Sequence, residues 1–268
     1  SWTKQLGTSA SEYGQGITSD SSGNVYVTGG TQGDLDGTNA GDFDLFVVKY
    51  NSSGVKQWTK QLGSSNNDYG YGITCSSSGN VYVTGYTGGD LDGNTNAGGL
   101  DLFVVKYSSA GVKQWTKQLG SSSSDYAKAI TIDSSGNVYV TGDTQGDLDG
   151  NTSAGSSDFF VVKYSSAGVK QWTTQLGSSN GDNAYDITSD SSGNIYVTGG
   201  TQGDLDGNTS AGNNDLFVVK YNSSGVKQWT KQLGTSTIDK GLGITSDSSG
   251  NVYVTGYTRG ILDGHTSV

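Results

Sequence analysis

The residues of this chain that are best suited to chemistry are aspartates in a repeated acidic pattern. The sequence Asp-Leu-Asp-Gly occurs four times, and a further Asp follows each copy shortly before an apolar run. Alternating Asp and Gly in a loop can gather oxygen ligands around Ca²⁺, with loop carbonyls completing the shell. The same residues also form Asx-Gly turns that cap backbone amides. The candidate calcium ligands are Asp34, Asp36, Asp44, Asp90, Asp92, Asp101, Asp147, Asp149, Asp158, Asp204, Asp206 and Asp215.

The acidic pattern differs from an EF-hand loop, because the Gly comes too early and the terminal Glu is missing. A fifth copy reads Ile261-Leu262-Asp263 and would lose one ligand. Calcium binding and simple turn formation therefore both stay open, and calcium is the one cofactor that the sequence suggests.

Residues that could support catalysis are few. His265 is the only histidine and lies near the C-terminal end, which is a poor basis for a Ser-His-Asp triad or a histidine metal site. A glycosidase needs two carboxylates in a cleft, but these aspartates recur identically in every copy, as structural residues do. Cys75 stands alone, so a disulfide framework is absent. We therefore predict no catalytic residues and no enzyme.

A second group of candidate residues stands where otherwise similar copies differ. One variable stretch follows each Leu-Gly-Ser or Leu-Gly-Thr turn. A second variable position follows each Tyr-Val-Thr-Gly run and is occupied by Gly, Tyr or Asp. Aromatic and polar side chains on one rigid face can form a binding surface, although loop positions also vary by neutral drift. The candidate ligand-binding residues are Tyr13, Tyr69, Tyr71, Tyr86, Tyr126, Lys128, Tyr185, Lys240 and Tyr257.

All of these candidate residues lie within a sequence repeat, so the fold of the repeat determines where they lie. Trp occurs at positions 2, 58, 115, 172 and 229, so the period is 56 or 57 residues. Copies this similar indicate recent amplification or design, and each buries its apolar face against the next. We predict one domain over residues 1–268 with repeats 2–57, 58–114, 115–171, 172–228 and an incomplete copy at 229–268.

Each copy contains four β-like segments, which in the third copy are residues 129–132, 138–141, 159–164 and 169–176. The third segment is apolar on both faces and should be buried between sheets. The fourth alternates Lys and Gln with apolar residues, as an exposed edge does. Four antiparallel strands repeated about every 57 residues predict an all-β fold, a β-propeller of five repeats.

Three strings resemble a known family. SSGNVYVTGYT at 77–87, DLFVVKY at 101–107 and SSAGVKQWTKQLGS at 108–121 are similar to the bacterial SBBP β-propeller repeat, and the match recurs in every copy. The resemblance implies a propeller from large secreted or surface-attached bacterial proteins, hence an extracellular or cell-surface location. It implies no shared catalytic residues.

The two ends of the chain are out of step with the repeat. We expect Trp2 to Leu6 to be the fourth strand of a blade, and the last blade to stop after its second strand, near Val252 to Thr255. The last blade then lacks its DLFVVKY strand. Because an open blade edge is a pairing site, we expect other copies of the chain as partners.

The net charge of −10 and pI of about 4.3 argue against nucleic acid and anionic membrane partners. No run reaches the ~20 apolar residues of a membrane helix, so no membrane insertion is expected. These observations favour a binding or structural scaffold that interacts through its loop face. Two alternatives stay open: a carbohydrate-binding propeller whose tyrosines grip sugar rings, and a self-assembling or engineered scaffold that shares strands across the incomplete blade.

Overall fold

The computed structural model describes residues 1–262, which contain 18 β-strands and three one-turn 3₁₀ helices. The strands form four four-stranded sheets and one two-stranded sheet. Every strand pairing given within these sheets is antiparallel, for example Val25 opposite Tyr50. The predicted all-β fold with repeats about 57 residues apart is confirmed. Within the described residues, no helix is long and apolar enough to cross a membrane.

Four strand types recur in a fixed order along the chain. The first strands are β1 (Glu12–Ser19), β5 (Asp68–Cys75), β9 (Asp125–Ile132), β13 (Asp182–Ser189) and β17 (Asp239–Ser246). The second strands are β2 (Val25–Thr31), β6 (Val81–Thr87), β10 (Val138–Thr144), β14 (Ile195–Thr201) and β18 (Val252–Thr258). The third strands are β3 (Asp44–Tyr50), β7 (Asp101–Tyr107), β11 (Asp158–Tyr164) and β15 (Asp215–Tyr221). The fourth strands are β4 (Lys56–Leu62), β8 (Lys113–Leu119), β12 (Lys170–Leu176) and β16 (Lys227–Leu233).

The third strand lies inside each complete sheet, between the second and the fourth strands. In β7, Leu102, Phe103, Val104 and Val105 are fully buried, which agrees with the prediction of an apolar strand covered on both faces. The fourth strand lies at the edge, and β4 exposes Lys56 and Gln57 as an edge strand should. The period of the apolar residues therefore predicts strand position correctly.

The chain divides into two compact units, Ser1–Ala127 and Lys128–Val268, and each has its own apolar core. In the first unit, Val47 of one sheet packs in the same cluster as Val83 and Phe103 of the next sheet. In the second unit, the rings of Phe159 and Phe217 stack with their centroids 4.7 Å apart. A single domain over 1–268 with the stated repeat bounds stays a prediction.

The Trp of β4 and the Trp of β12 each connect one sheet to the next within a unit. Trp58 donates its indole N–H to the carbonyl of Ser109, 51 residues later, at 3.2 Å. Its ring lies 6.0 Å from that of Tyr26 and 6.4 Å from that of Tyr107. Trp172 makes the same bond to the carbonyl of Ser223 at 3.3 Å, so these two periodic tryptophans each join the turn of the following repeat.

The sequence prediction is wrong about some strand bounds. Residues 2–6 form no strand, because in each complete sheet the fourth strand pairs with the preceding third strand, and residues 2–6 have no such partner in the described structure. The first strand also begins earlier than expected, at Asp125 rather than Ala129 in β9. The early half of the first strand contains Gly or Ala. In β5 it also contains a β-bulge, between Gly70 and Gly72.

The turn between third and fourth strands needs glycine for two reasons, and this gives a stability prediction. Gly225 has φ of +81° and a Cβ there would lie 2.8 Å from the Trp172 ring, whereas Gly193, in the turn between the first and second strands, has φ of +78° and a Cβ there would meet only the Cβ of Ser223, at an ordinary 3.6 Å. Gly193→Ala should cost about 1 kcal/mol of unfolding free energy, because an L-residue is strained in this region. Gly225→Ala should cost about 2 kcal/mol more, because the Trp172 ring must also move.

Urea unfolding followed by tryptophan fluorescence measures both variants against the parent chain. Equal losses for Gly225→Ala and Gly193→Ala would show that the Trp172 contact contributes nothing at this turn.

Candidate functional site

The predicted calcium ligands do not converge on common sites but occupy three separate positions in each repeat. The first Asp of Asp-Leu-Asp-Gly accepts a backbone N–H from further along its own loop. In the second repeat, Asp90 accepts the N–H of Asn96 at 2.8 Å. The corresponding bonds in the other repeats measure 2.7 Å and involve Asp34, Asp147 and Asp204.

The second Asp of the pattern pairs with a lysine of the fourth strand. Asp36 pairs with Lys60 at 3.1 Å. The same type of ion pair joins Asp92 to Lys113, Asp149 to Lys170 and Asp206 to Lys227. Asp92, Asp149 and Asp206 have left-handed backbones with φ of 53° or 54°, which Asp tolerates better than most residues.

The third Asp, at the start of each third strand, is buried and organises the loop from inside. Asp101 accepts the N–H of Ala97 at 2.8 Å and a side-chain N–H of Gln118 at 2.9 Å. Asp44, Asp158 and Asp215 make the equivalent pair of bonds, at 2.7 to 3.0 Å. Each long loop is thus closed by carboxylates that accept from its own amides and from the neighbouring strand.

These contacts favour a turn-forming role for the acidic loops. In residues 1–262 no group of three or more His, Cys, Asp or Glu is arranged to hold a metal ion. Asp263 of the fifth copy and His265 lie outside the described residues. Calcium binding by these aspartates stays a prediction that an experiment must decide.

The two variable positions lie opposite each other on neighbouring strands. Tyr69 faces Tyr86 across β5 and β6, and Lys240 faces Tyr257 across β17 and β18. We expected both positions in loops, and this is wrong. The first strand starts four residues earlier than predicted, and the second strand continues to Thr144 in β10 instead of ending at residue 141. Their side chains are therefore held by a sheet ladder and not by a mobile loop.

In the first unit, most of the predicted ligand-binding tyrosines form one continuous group, the aromatic cluster. Its ring centroids are separated by 5.7 Å for Tyr13 and Phe43, 4.7 Å for Phe43 and Tyr69, and 5.4 Å for Tyr69 and Tyr86. Tyr71 and Tyr126 each contact Tyr86, at 5.5 and 5.3 Å. The cluster consists of Tyr13, Phe43, Tyr69, Tyr71, Tyr86 and Tyr126.

Tyr86 lies at the centre of the aromatic cluster, and Tyr13 is its most open member, with 53% of its surface exposed. Burial and the neighbouring tyrosines raise the pKa of Tyr86. Burial, with the charge of Asp42 nearby, raises the pKa of Tyr69 to about 12. The phenols of Tyr69 and Tyr86 are therefore held in their neutral form, as apolar rings with hydroxyl groups.

Phe43 was missed from the sequence, although a signal for it exists. It precedes Asp44, where the other copies have Leu100, Ser157 and Asn214. The position is therefore as variable as the two positions that were recognised, and Phe43 joins Tyr13 to Tyr69.

In the second unit, the variable positions carry charge and form the lysine–tyrosine cluster of Lys128, Asp143, Tyr185 and Lys240. Lys128 pairs with Asp143, and its Nζ lies 4.8 Å from the centre of the Tyr185 ring. Lys240 donates to the Tyr185 hydroxyl at 3.1 Å, with its Nζ 5.4 Å from the same ring. Burial raises the pKa of Asp143, although Lys128 opposes this effect. Two ammonium groups thus converge on one ring.

Among the predicted ligand-binding residues, Tyr257 makes no ring contact with either cluster within residues 1–262. It is 41% exposed and lies opposite Lys240 in the ladder. Asp186, which sequence reasoning missed, is held by accepting the N–H of Ile244 at 2.8 Å. Burial raises the pKa of the Asp186 carboxyl.

A shallow polar pocket of about 310 Å³ lies in the first unit, near the aromatic cluster. Asp42, Asn66, Asn67 and Leu100 contribute to its lining. Gln32 donates to Asp42 at 2.7 Å, and Asn66 donates to the carbonyl of Gly88 at 2.6 Å. The pocket combines amide and carboxylate groups with an apolar side chain, a mixture that suits a small polar ligand.

A family model described as SBBP beta-propeller repeat matches the chain at residues 1–36, 57–92, 114–149, 171–206 and 228–263. The chain is 28% identical over 257 residues to an uncharacterized WD repeat-containing protein of Acanthamoeba polyphaga mimivirus, covering 75% of this chain and 18% of that protein. It is 27% identical over 212 residues to the regulatory protein FlaEY of Caulobacter vibrioides, covering 69% of this chain and 22% of that protein. The chain therefore spans about a fifth of the length of these curated relatives.

Two solved structures show a weaker likeness. A luciferin-regenerating enzyme has a TM-score of 0.40 at 12% identity, covering 96% of this chain and 88% of that chain. The rhamnogalacturonan lyase YesW has a TM-score of 0.31 at 14% identity, covering 85% and 53%. Scores this low support no statement about the activity of the present chain.

The contacts of the acidic loops lead to a prediction for metal removal. Each carboxylate already accepts from protein donors, so the loops should keep their structure without an ion. We expect EDTA to leave the thermal unfolding midpoint unchanged, as measured by circular dichroism with and without added CaCl₂. A lower midpoint in EDTA that CaCl₂ restores would instead make Asp90, Asp92 and Asp101 and their counterparts metal ligands.

A buried aspartate starts four of the five first strands, and Asp182 of β13 gives a pH prediction. Burial raises the pKa of Asp182, and the like charge of Asp158 adds to the effect. A folded-state pKa above the unfolded value stabilises the fold at low pH, and this contribution is lost as pH rises through the folded pKa. Asp182→Asn should therefore remove a stability decrease that the parent chain shows as pH rises from about 4.

Asp190 in the same strand region provides a control of opposite sign. Although burial opposes the shift, hydrogen bonds from Asn194 and Tyr196 hold the pKa of Asp190 below its usual value. Its contribution is therefore present above the unfolded pKa and lost as pH falls through the folded pKa. Urea unfolding at a series of pH values measures both variants. A difference curve of the same sign for Asp182→Asn and Asp190→Asn would contradict this assignment.

Proposed function

Because the chain belongs to the SBBP beta-propeller repeat family, we propose that it is a non-enzymatic binding module that docks segments of other proteins. The observation that carries this proposal is the location of the sequence differences. In a chain whose copies are otherwise nearly alike, the variable positions converge on an aromatic cluster in one unit and a lysine–tyrosine cluster in the other. A scaffold that keeps its frame and varies one face is suited to recognition.

The printed names of the relatives support a binding role. One is called a WD repeat-containing protein and the other a regulatory protein, and neither name describes a reaction. The family resemblance also supports an extracellular or surface location in a bacterium. That location belongs to the proposal, together with the absence of catalysis.

The chemistry of the aromatic cluster favours a basic partner segment. Tyrosine faces attract Arg and Lys side chains, and the attraction strengthens where water is excluded. Asp42 adds a negative charge close to Tyr69. The net charge of −10 steers cationic segments towards the chain and disfavours acidic ones. We therefore expect arginine-containing peptides with apolar neighbours to bind in the first unit.

The aromatic cluster can be tested by a substitution that the repeat itself supplies. Gly30 and Gly200 occupy the place of Tyr86 in other sheets with the same register, so Tyr86→Gly should fold. Fluorescence anisotropy with labelled Arg-Leu peptides should show saturable binding to the parent chain. Because central aromatic residues dominate binding energy, Tyr86→Gly should weaken it at least about tenfold.

Val55→Ser is the matched control, because Val55 is 56% exposed in the turn between the third and fourth strands. It should bind the peptides as the parent chain does. Binding that is equally strong in Tyr86→Gly, or that is absent in the parent chain at low salt, would disprove the proposed face.

Carbohydrate binding is a second candidate function, and the polar pocket of the first unit favours it. Asp42, Asn66 and Asn67 offer the carboxylate and amide groups that bond sugar hydroxyls, and Leu100 supplies an apolar wall. The tyrosines contact each other rather than forming one separate pocket per sheet, so we place the sugar in this pocket. A glycan array tests it: hits that Asn67→Ala abolishes and Tyr86→Gly retains would support this function, and an array without hits would remove it.

A further inference from the structure

One fourth strand of the second unit departs from the repeat at a single position. The strands β4, β8 and β16 read Lys-Gln-Trp-Thr-Lys-Gln-Leu, whereas β12 reads Lys-Gln-Trp-Thr-Thr-Gln-Leu. Thr174 therefore stands where the other three strands have Lys60, Lys117 and Lys231. Because lysine has a long aliphatic stem that ends in a charge, the change removes both volume and a positive charge from this place.

In the first unit this lysine lies on the strand face that packs against the next sheet. Side chains alternate along a strand, so Lys60 shares its face with Trp58 and Leu62. Both of these pack against the apolar core that joins the two sheets of the unit. The Nζ of Lys60 pairs with Asp36 at 3.1 Å. The lysine of the repeat thus lies beside the core with its ammonium group paired.

In the second unit a pocket of about 270 Å³ lies at the corresponding place. Thr174 has the position of Lys60, between Trp172 and Leu176 on one face of β12. The pocket therefore lies where the longer side chain of the repeat would extend. Its lining includes Asn151, Thr174, Leu176, Tyr221, Gly225 and Lys227.

The pocket contains a buried hydroxyl whose hydrogen-bonding capacity is not used. Within residues 1–262 the Oγ1 atom of Thr174 is buried and makes no hydrogen bond. The phenol of Tyr221, which is only 2% exposed, lies beside it. A buried polar atom without a partner is unfavourable, so a donor that enters the pocket gains a hydrogen bond at little cost.

The charges around the pocket favour a cation. Asp149 pairs with Lys170, and Asp206 pairs with Lys227, so two carboxylates meet two ammonium groups. The corresponding place in the first unit has two carboxylates and three lysines, namely Asp36, Asp92, Lys56, Lys60 and Lys113. The second unit therefore lacks one positive charge here, and the net charge of −10 attracts cations to the chain.

We propose that the pocket at Thr174 binds a primary alkylammonium group, as carried by a lysine side chain in a segment of a partner protein. The ammonium group donates to Oγ1 of Thr174, and the aliphatic stem contacts Leu176 and Tyr221. The ligand then supplies what the lysine of the repeat supplies in the three other fourth strands. The inference extends the proposed docking role to the second unit and rests on that role only for the source of the lysine.

An anion is the competing occupant, because Lys227 lines the pocket. The ammonium group of Lys227 is already paired with Asp206. An added carboxylate would lie close to that aspartate and would leave the missing lysine unreplaced. The contacts therefore favour the alkylammonium group.

A labelled peptide of sequence Gly-Ser-Gly-Leu-Lys-Leu-Gly-Ser-Gly tests the site on the intact chain. Fluorescence anisotropy at low salt should show saturable binding to the parent chain. Acetylation of the lysine Nε keeps the stem and removes the charge, and it should weaken binding at least about tenfold, because a hydrogen bond from a charged donor is lost. A peptide with Glu in place of Lys tests the competing anion.

Competition by n-pentylamine identifies the source of the ammonium group. Displacement of the labelled peptide only at concentrations far above that of unlabelled peptide indicates a polypeptide ligand. Equal potency of the two competitors indicates that a free alkylamine is the ligand.

Two substitutions at position 174 separate volume from hydrogen bonding. Thr174→Lys fills the pocket with the residue of the other fourth strands, so the variant should fold and should bind the lysine peptide at least about tenfold more weakly. Thr174→Val keeps the volume and removes the hydroxyl, and should weaken binding about fivefold. Val169→Ser is the matched control, because Val169 is 59% exposed in the turn between β11 and β12.

Four results would overturn the proposal. They are absence of binding to the parent chain, unchanged binding in Thr174→Lys, equal binding of the acetylated peptide, and stronger binding of the Glu peptide. The Arg-Leu peptides separate this site from the aromatic cluster. A parent chain that binds the lysine peptide but not the Arg-Leu peptides would disprove the proposed face of the first unit and support the pocket at Thr174.

Discussion

Burial of the third strand is the constraint on which the other contacts of each sheet depend. This strand is apolar on both faces, so it is stable only between two partner strands and between covering layers. Where it is present, as in β7, Tyr82, Val83 and Thr84 of the neighbouring β6 are all fully or nearly fully buried. Within residues 1–262 no third strand lies next to β18, and there the counterpart Tyr253 is exposed. A single strand type thus decides whether its neighbours are core or surface.

Aspartate side chains close many of the turns of this chain. The chain has no proline, and its turns are closed by carboxylates that accept from nearby amides. Asp133 accepts from the N–H groups of Ser135 and Asn137, and from the hydroxyl of Tyr139. Such carboxylates are stabilised as anions, whereas Asp182 is destabilised as an anion by burial. The acidic composition is therefore largely a consequence of how the turns are built.

Much of the fold could be predicted from the sequence, because period, strand polarity and turn residues all point to one architecture. The strand types, the buried third strand and the exposed edge strand follow from residue patterns alone. The start of the first strand could not be predicted, since Gly and Ala at positions such as Gly70 hide its pattern and a bulge shifts the register. Whether residues 2–6 form a strand depends on a partner strand, which the local sequence does not reveal.

The candidate site could be predicted as a set of residues but not as an arrangement, because its members touch across sheets. A Cβ at Gly30 would lie 2.6 Å from the ring of Tyr69, which belongs to the following repeat. The small residue in one sheet therefore makes room for the large residue of the next. Tyr86 occupies the place of Gly30 in the next sheet, and its ring packs against that of Tyr126 in the following repeat. Each of these positions therefore contacts a residue of the following repeat, so the arrangement of the site depends on contacts between sheets that a single copy of the sequence does not reveal.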